Sequence, residues 1–343
     1  MLRATHRDEL ESLACYEYPA GEVRCAAARL KELRLRRREF LSSLTVAALA
    51  ARATAATFPV VDSHMHVWTN DTARFPFAHP YESSFKPPPS AGTMEALVEE
   101  MDRSGIDGCV LVQVIYYGWD NRYTAHCLKT YPQRFRAQGL IDPTDPKRAR
   151  TLEYWVREHK LSGMRFSPIY YRGKDEWIND RASDALWKSA EKLGAIFNFF
   201  IAAPQLPKLE DMVKRHAGVK VVVDHLARVE LKGPDPDGDV RKLVALARYP
   251  NVSVKVSELN ILSPSKKYPY ADTFETIRRV YDAFGADRLL WGTGFPGATR
   301  AQAGRPSLDE ELALISREIP FFSAEDREKI LGRNTAKLWK FQF

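Results

Sequence analysis

Residues 57–343 are expected to close into a single (β/α)8 TIM barrel, and three observations carry that expectation. Short β-branched or apolar runs alternate eight times with segments whose apolar residues recur at helical spacing. Several of those segments end on a glycine just ahead of the next run (Gly105, Gly194, Gly285), as a C-capped helix does. The span also matches the usual size of such barrels. An open doubly wound sheet is the alternative, but no G-x-G-x-x-G turn follows an early strand.

The elements follow in order. The first run, FPVVDSHMHV (58–67), ends in polar residues, and at period two Asp62, His64, His66 and Trp68 share one face. GCVLVQV (108–114), FRAQGLI (135–141), SGMRFS (162–167) and AIFNFFI (195–201) are the next four strands. VKVVVDHL (219–226), VSVKVS (252–257) and RLLWGTG (288–294) complete the eight. Helical segments such as TMEALVEEMDRSG (93–105), ASDALWKSAEKLG (182–194) and TFETIRRVYDAFG (273–285) lie between them. Two insertions, the Pro-rich 69–92 and residues 168–182, follow strands 1 and 4. In a barrel both lie at the C-terminal face, where active sites are built.

Composition sets the class. With 45% hydrophobic and 28% charged residues, this is a globular chain. Residues 1–56 carry +3 of the net charge of +7, and the basic residues of the remainder are scattered rather than bunched into a stripe, which argues against a nucleic-acid partner. Residues 1–56 read as a presequence. Arg34, Arg36, Arg37 and Arg38 precede Phe40-Leu41 and a mild apolar stretch, and Ala53-Thr54-Ala55 is an A-x-A cleavage pattern. The arginine pair has the form of a twin-arginine signal, so a periplasmic or secreted location is expected, with cleavage near Ala55. The apolar stretch is too short to span a bilayer, so no stable membrane insertion is expected. Of the remaining cysteines, Cys109 and Cys127, neither spacing suggests a metal knuckle or a disulfide framework.

The candidate chemistry sits at strand ends. His64 and His66 end strand 1 and His225 ends strand 6, which brings three imidazoles to one face of a barrel. At this point the chain resembles the amidohydrolase superfamily, in the amidohydrolase-related branch with sugar lactonases and 2-pyrone-4,6-dicarboxylate lactonase. The landmarks are VDSHMHVW, SGMRFSP, DHLARV, VKVSELN, DRLLWGTGFP and ILGRNTAKLW, in that order along the chain. The resemblance implies a (β/α)8 hydrolase acting on a lactone, cyclic ester or carboxylated ring.

Two departures matter. Strand 5 lacks the histidine that metal-dependent relatives supply and carries Asn198 and Phe200 on one face instead. Strand 8 reads WGTGFP, with Gly294 where relatives place an aspartate. The expectation is therefore a metal-free site, or a reduced mononuclear one with a divalent ion such as zinc or manganese on His64, His66 and His225. The missing carboxylate removes the usual general base. Asp224, Glu258, Asp62 and His225 are the candidates to replace it, and Asp62 is alternatively the acceptor that orients an imidazole. Arg165, Lys255, Arg300, Arg305, Tyr116 and Tyr170 are expected to hold a small-molecule substrate. Two other readings compete: a metal-assisted decarboxylase of an aromatic acid, and a binding protein whose barrel has lost catalysis.

Overall fold

The computed structural model describes residues 58–86, 88, 90–171, 173–295 and 305–343. The presequence and Arg300 lie outside the described residues. Eight parallel strands run in sequence order around one sheet. They are β1 (Val61–Met65), β2 (Gly108–Val112), β3 (Phe135–Gly139), β4 (Gly163–Phe166), β5 (Ile196–Phe199), β6 (Lys220–Val223), β7 (Val252–Val256) and β8 (Leu289–Trp291). Past the end of β8 the sheet closes on β1, where His66 N donates to Phe295 O (2.6 Å) and Gly294 N to His64 O (2.7 Å). The described residues, 58 onward, form a TIM barrel in a single domain.

A principal helix follows each strand. These are α1 (Met94–Ser104), α2 (Arg122–Thr130), α3 (Arg148–His159), α4 (Asp184–Leu193), α5 (Leu206–Arg215), α6 (Pro236–Ala245), α7 (Phe274–Phe284) and α8 (Leu308–Ala313). Their ends obey local rules. Thr93 Oγ1 accepts from Ala96 N at the start of α1, and Gly105 (φ 69°) and Gly194 (φ 65°) close α1 and α4 in the left-handed region. Leu97 and Met101 of α1 and Leu209, Met212 and Val213 of α5 are buried in the main core between helices and sheet. No described helix is long and apolar enough to cross a membrane.

The barrel interior is layered by chemistry. Val61, Val110, Ile196, Val222 and Leu290 form an apolar floor with Trp339 and Phe341, so the C-terminal LWKFQF packs against the barrel itself. Above the floor the inward positions turn polar: Gln138 on β3, Asn198 on β5, Lys255 on β7 and the histidine end of β1, all fully buried or nearly so. Alternate strands contribute each interior layer of such a barrel. Gln138, Asn198, Lys255 and the end of β1, drawn from the odd-numbered strands, therefore make one polar layer under the C-terminal mouth.

Candidate active site

The mouth holds a cavity of about 400 Å³, within the range of small-molecule sites. Its walls include His64, His66, Trp68, Tyr116, Arg165, Tyr170, Phe200, His225, Arg228, Glu258, Gly294 and Arg305. Eight of the sequence-predicted residues meet there: His64, His66, His225, Glu258, Arg165, Arg305, Tyr116 and Tyr170. Asp224 and Lys255 do not line it. Both are fully buried below it, so neither is placed to touch a substrate.

His64 on β1 and His66 just past its end reach the lumen through an irregularity. The pairing of β1 with β2 shifts between Asp62 and Met65, so a simple period-two reading fails across it. Asp62 consequently serves the backbone. Its Oδ1 accepts from His64 N (2.7 Å) and Thr293 N (3.3 Å), which pins the end of β1 to the end of β8. It orients no imidazole, and with no exposure it is no base for a pocket water. Burial pushes its carboxyl up to about 7, against the pull of those hydrogen bonds.

A directional chain joins the imidazoles. His66 Nδ1 lies 2.7 Å from Val112 O, and a carbonyl only accepts, so His66 carries its proton on Nδ1. Its Nε2 is 3.2 Å from His64 Nε2, which therefore donates. That leaves His64 Nδ1 as an acceptor facing Lys255 Nζ at 3.1 Å. Burial holds His64 and His225 well below the usual histidine value and His66 down to about 3, with nearby cations acting in the same direction. All three imidazoles are neutral near pH 7.

Asp224 is the carboxylate at the centre. Arg165 Nε donates to its Oδ2 at 2.9 Å, and Lys255 Nζ pairs with its Oδ1 at 3.0 Å. Burial alone would raise its pKa, but Lys255, His64 and Arg165 hold it well below the carboxylate range. Burial lowers the Lys255 ammonium, and Asp224 counters that shift.

Two strained turns finish the site. His225 does not end a strand but opens a left-handed turn, His225–Arg228, with φ of 51°, 51°, 55° and 49°. Each left-handed residue other than glycine costs on the order of 1–2 kcal/mol. The turn buries Leu226 and Ala227 in the core and presents both His225 and Arg228 to the cavity. His225 Nδ1 pairs with Ser257 Oγ at 2.8 Å. Glu258, also left-handed (φ 53°), pairs with Arg228 and lies 3.6 Å from Arg305 Nη1. A Cβ built on Gly294 (φ 68°) would come within 3.2 Å of Glu258 Oε1. Glu258 thus fills the space beside Gly294, the position at which the sequence resemblance implies an aspartate.

His64, Asp224 and His225 bring one ligand atom each to within 4.8 Å of one another, a buried group that could hold a metal ion. Asp224 stands there in place of the predicted His66. The donor types suit zinc, but the lone pair of His64 Nδ1 and Asp224 Oδ1 both face the Lys255 ammonium. In the arrangement seen here two of the three donors are engaged by the protein's own cation.

Sequence reading missed Arg228, although it lies in the DHLARV landmark, because nothing local foretells a left-handed turn that carries it round beside His225. It also missed Gln138 and the amide of Asn198. Both are fully buried, and none of their side-chain N and O atoms has a partner.

The chain is thus a parallel (β/α)8 barrel with a histidine-lined pocket at its C-terminal mouth, the face on which such barrels carry their active sites. The chain belongs to the amidohydrolase family, whose model matches residues 61–341. It is 27% identical over 284 residues to the 4-sulfomuconolactone hydrolase of Rhizobium radiobacter, covering 81% of this chain and 89% of that one. It is 23% identical over 248 residues to the L-fucono-1,5-lactonase of Burkholderia ambifaria, covering 69% and 80%. Among solved structures, a zinc-bound amidohydrolase from Burkholderia multivorans superposes with a TM-score of 0.65 at 21% identity, over 83% of this chain and all of that one.

Proposed function

We propose that this protein hydrolyses a small lactone carrying one or more anionic groups, without a metal. One observation carries the reading: the cavity wall holds three guanidinium groups, Arg165, Arg228 and Arg305, against one carboxylate, Glu258, beside neutral histidines. A surplus of guanidinium in a half-enclosed pocket suits a carboxylate or sulfonate substituent, which it can grip bidentately. The relative named for a sulfo-substituted lactone supports the same choice over a neutral sugar lactone.

In this reading Glu258 is the general base. It borders the cavity, and its Oε2 is 3.9 Å from His225 Nε2, a gap that one water can bridge. The water attacks the lactone carbonyl as Glu258 takes its proton. The ring C–O bond then breaks, and the departing oxygen takes a proton back. Arg165, anchored through Nε to Asp224, stabilises the oxyanion. The rings of Trp68, Tyr116, Tyr170 and Phe200 wall the substrate ring.

A lactone panel read by a pH indicator tests this. Anionic lactones such as 4-sulfomuconolactone and 2-pyrone-4,6-dicarboxylate should turn over, and Arg305→Ala should raise their KM with little change in kcat. Preference for L-fucono-1,5-lactone would remove the anionic reading. Tight binding of the anions without turnover would favour a binding protein. We also propose export through the twin-arginine pair, on the sequence pattern alone. Replacing both Arg37 and Arg38 with lysine should hold the protein in the cytoplasmic fraction.

A further inference from the structure

Two of the three metal-type donors already share a cation. Lys255 Nζ lies 3.0 Å from Asp224 Oδ1 and 3.1 Å from His64 Nδ1, atoms that are themselves 3.8 Å apart. Zinc takes imidazole and carboxylate ligands at about 2.0–2.2 Å. An ion placed on these two atoms would occupy the space the ammonium fills and would be repelled by it. The remaining lone pair is also engaged. His66 Nδ1 donates to Val112 O, so its Nε2 accepts from His64 Nε2, and no ring nitrogen of the β1 pair is left with a free lone pair. The ammonium has no way out to solvent. Lys255 is fully buried, and its Nζ sits 6.0 Å from the centre of the Trp339 ring, which closes the barrel floor.

We propose that Lys255 is a built-in substitute for the metal ion. Its ammonium holds His64 and Asp224 together, fixes both imidazole tautomers, and keeps His64, Asp224 and His225 from binding a divalent cation. The chain-borne cation also orients Arg165 indirectly, because Lys255 and Arg165 grip opposite oxygens of the same carboxylate. Lys255 is thus a positioning residue of the site used in the proposed hydrolysis, but its role is defined independently of that activity.

The experiment is equilibrium dialysis of chelator-stripped full-length protein against micromolar zinc chloride, with the retained metal counted by elemental analysis. Wild type should retain only background zinc. Lys255→Met, which keeps the stem and removes the charge, should retain about one equivalent, and Lys255→Met/His225→Ala should lose it again. Wild-type protein that binds an equivalent as tightly as Lys255→Met overturns the proposal, as does a folded Lys255→Met that binds none. Should that variant fail to fold, long-range proton–nitrogen NMR on wild type decides. A His64 ring protonated at Nε2 and unmoved by excess zinc supports the proposal; protonation at Nδ1, or a zinc-induced shift, overturns it. Inactivity on every lactone would sink the proposed function and leave each of these outcomes as it stands.

Discussion

At the scale of single residues, the site depends on which charges are buried and what faces them. Glu258→Gln keeps the shape of the side chain and removes the base, so kcat should fall by ~10²–10⁴ while the protein stays folded. A loss below tenfold would return the base role to His225. Asp62 gives a prediction with a definite sign. Its folded pKa is about 7 against an ordinary 3.8, so between those values the folded protein holds a proton that the unfolded chain has released. Its contribution to stability is therefore fully present below about 4 and is lost as pH rises toward 7. Asp62→Asn should cost less stability, measured by urea denaturation, at pH 8 than at pH 4. The buried histidines act in the opposite sense. Their pKa values are lowered, so unfolded chains bind more protons, and stability falls as pH drops below about 6.5.

At the scale of elements, the helices obey their sequence signals and the turns after the strands do not. Gly105 and Gly194 close their helices as the pattern predicts, but α3 ends on Lys160, held left-handed at φ 60°. Lys160 is exposed, and among the described residues its ammonium donates to the nearby Arg157 O. Lys160→Gly should therefore stabilise the protein by ~0.5–1 kcal/mol, read as a higher denaturation midpoint with unchanged slope. The left-handed turn His225–Arg228 cannot be relieved in the same way, because Leu226 and Ala227 pack in the core and their flanking residues form the cavity wall. Its strain is maintained by the packing on one side and the functional groups on the other.

At the scale of the molecule, the barrel is closed at its lower end by its own C-terminus. Phe341 packs among the floor residues with the Arg136 guanidinium 4.6 Å above its ring, and Gly108 leaves the space its edge occupies. Trp339→Ala or Phe341→Ala should each cost ~3–5 kcal/mol in chemical denaturation. Because the floor lies directly beneath Lys255, Trp339→Ala should also weaken the positioning of the ammonium. Loss of stability near that of an exposed aromatic, about 1 kcal/mol or less, would show the tail to be dispensable.

By itself the sequence determined the architecture, the face on which the site lies, and most of the residues that line it. Strand and helix periodicity are local properties, and in a barrel with sequential strands the local order is the topology. His64, His66, His225, Arg165, Glu258 and Gly294 were legible because each ends a strand or follows one closely. Only the tertiary structure decided what those groups do to one another. Whether Asp62 serves an imidazole or a backbone amide depends on one irregularity in β1. Whether Lys255 meets substrate or Asp224 depends on how deep its layer sits, and that depth is set by the registers of all eight strands together. The placement of Glu258 beside Gly294 joins the ends of two strands, and that of Arg228 beside His225 needs a left-handed backbone. Distances across a barrel and φ at a non-glycine residue leave no local trace in sequence, since both are fixed by packing rather than by propensity.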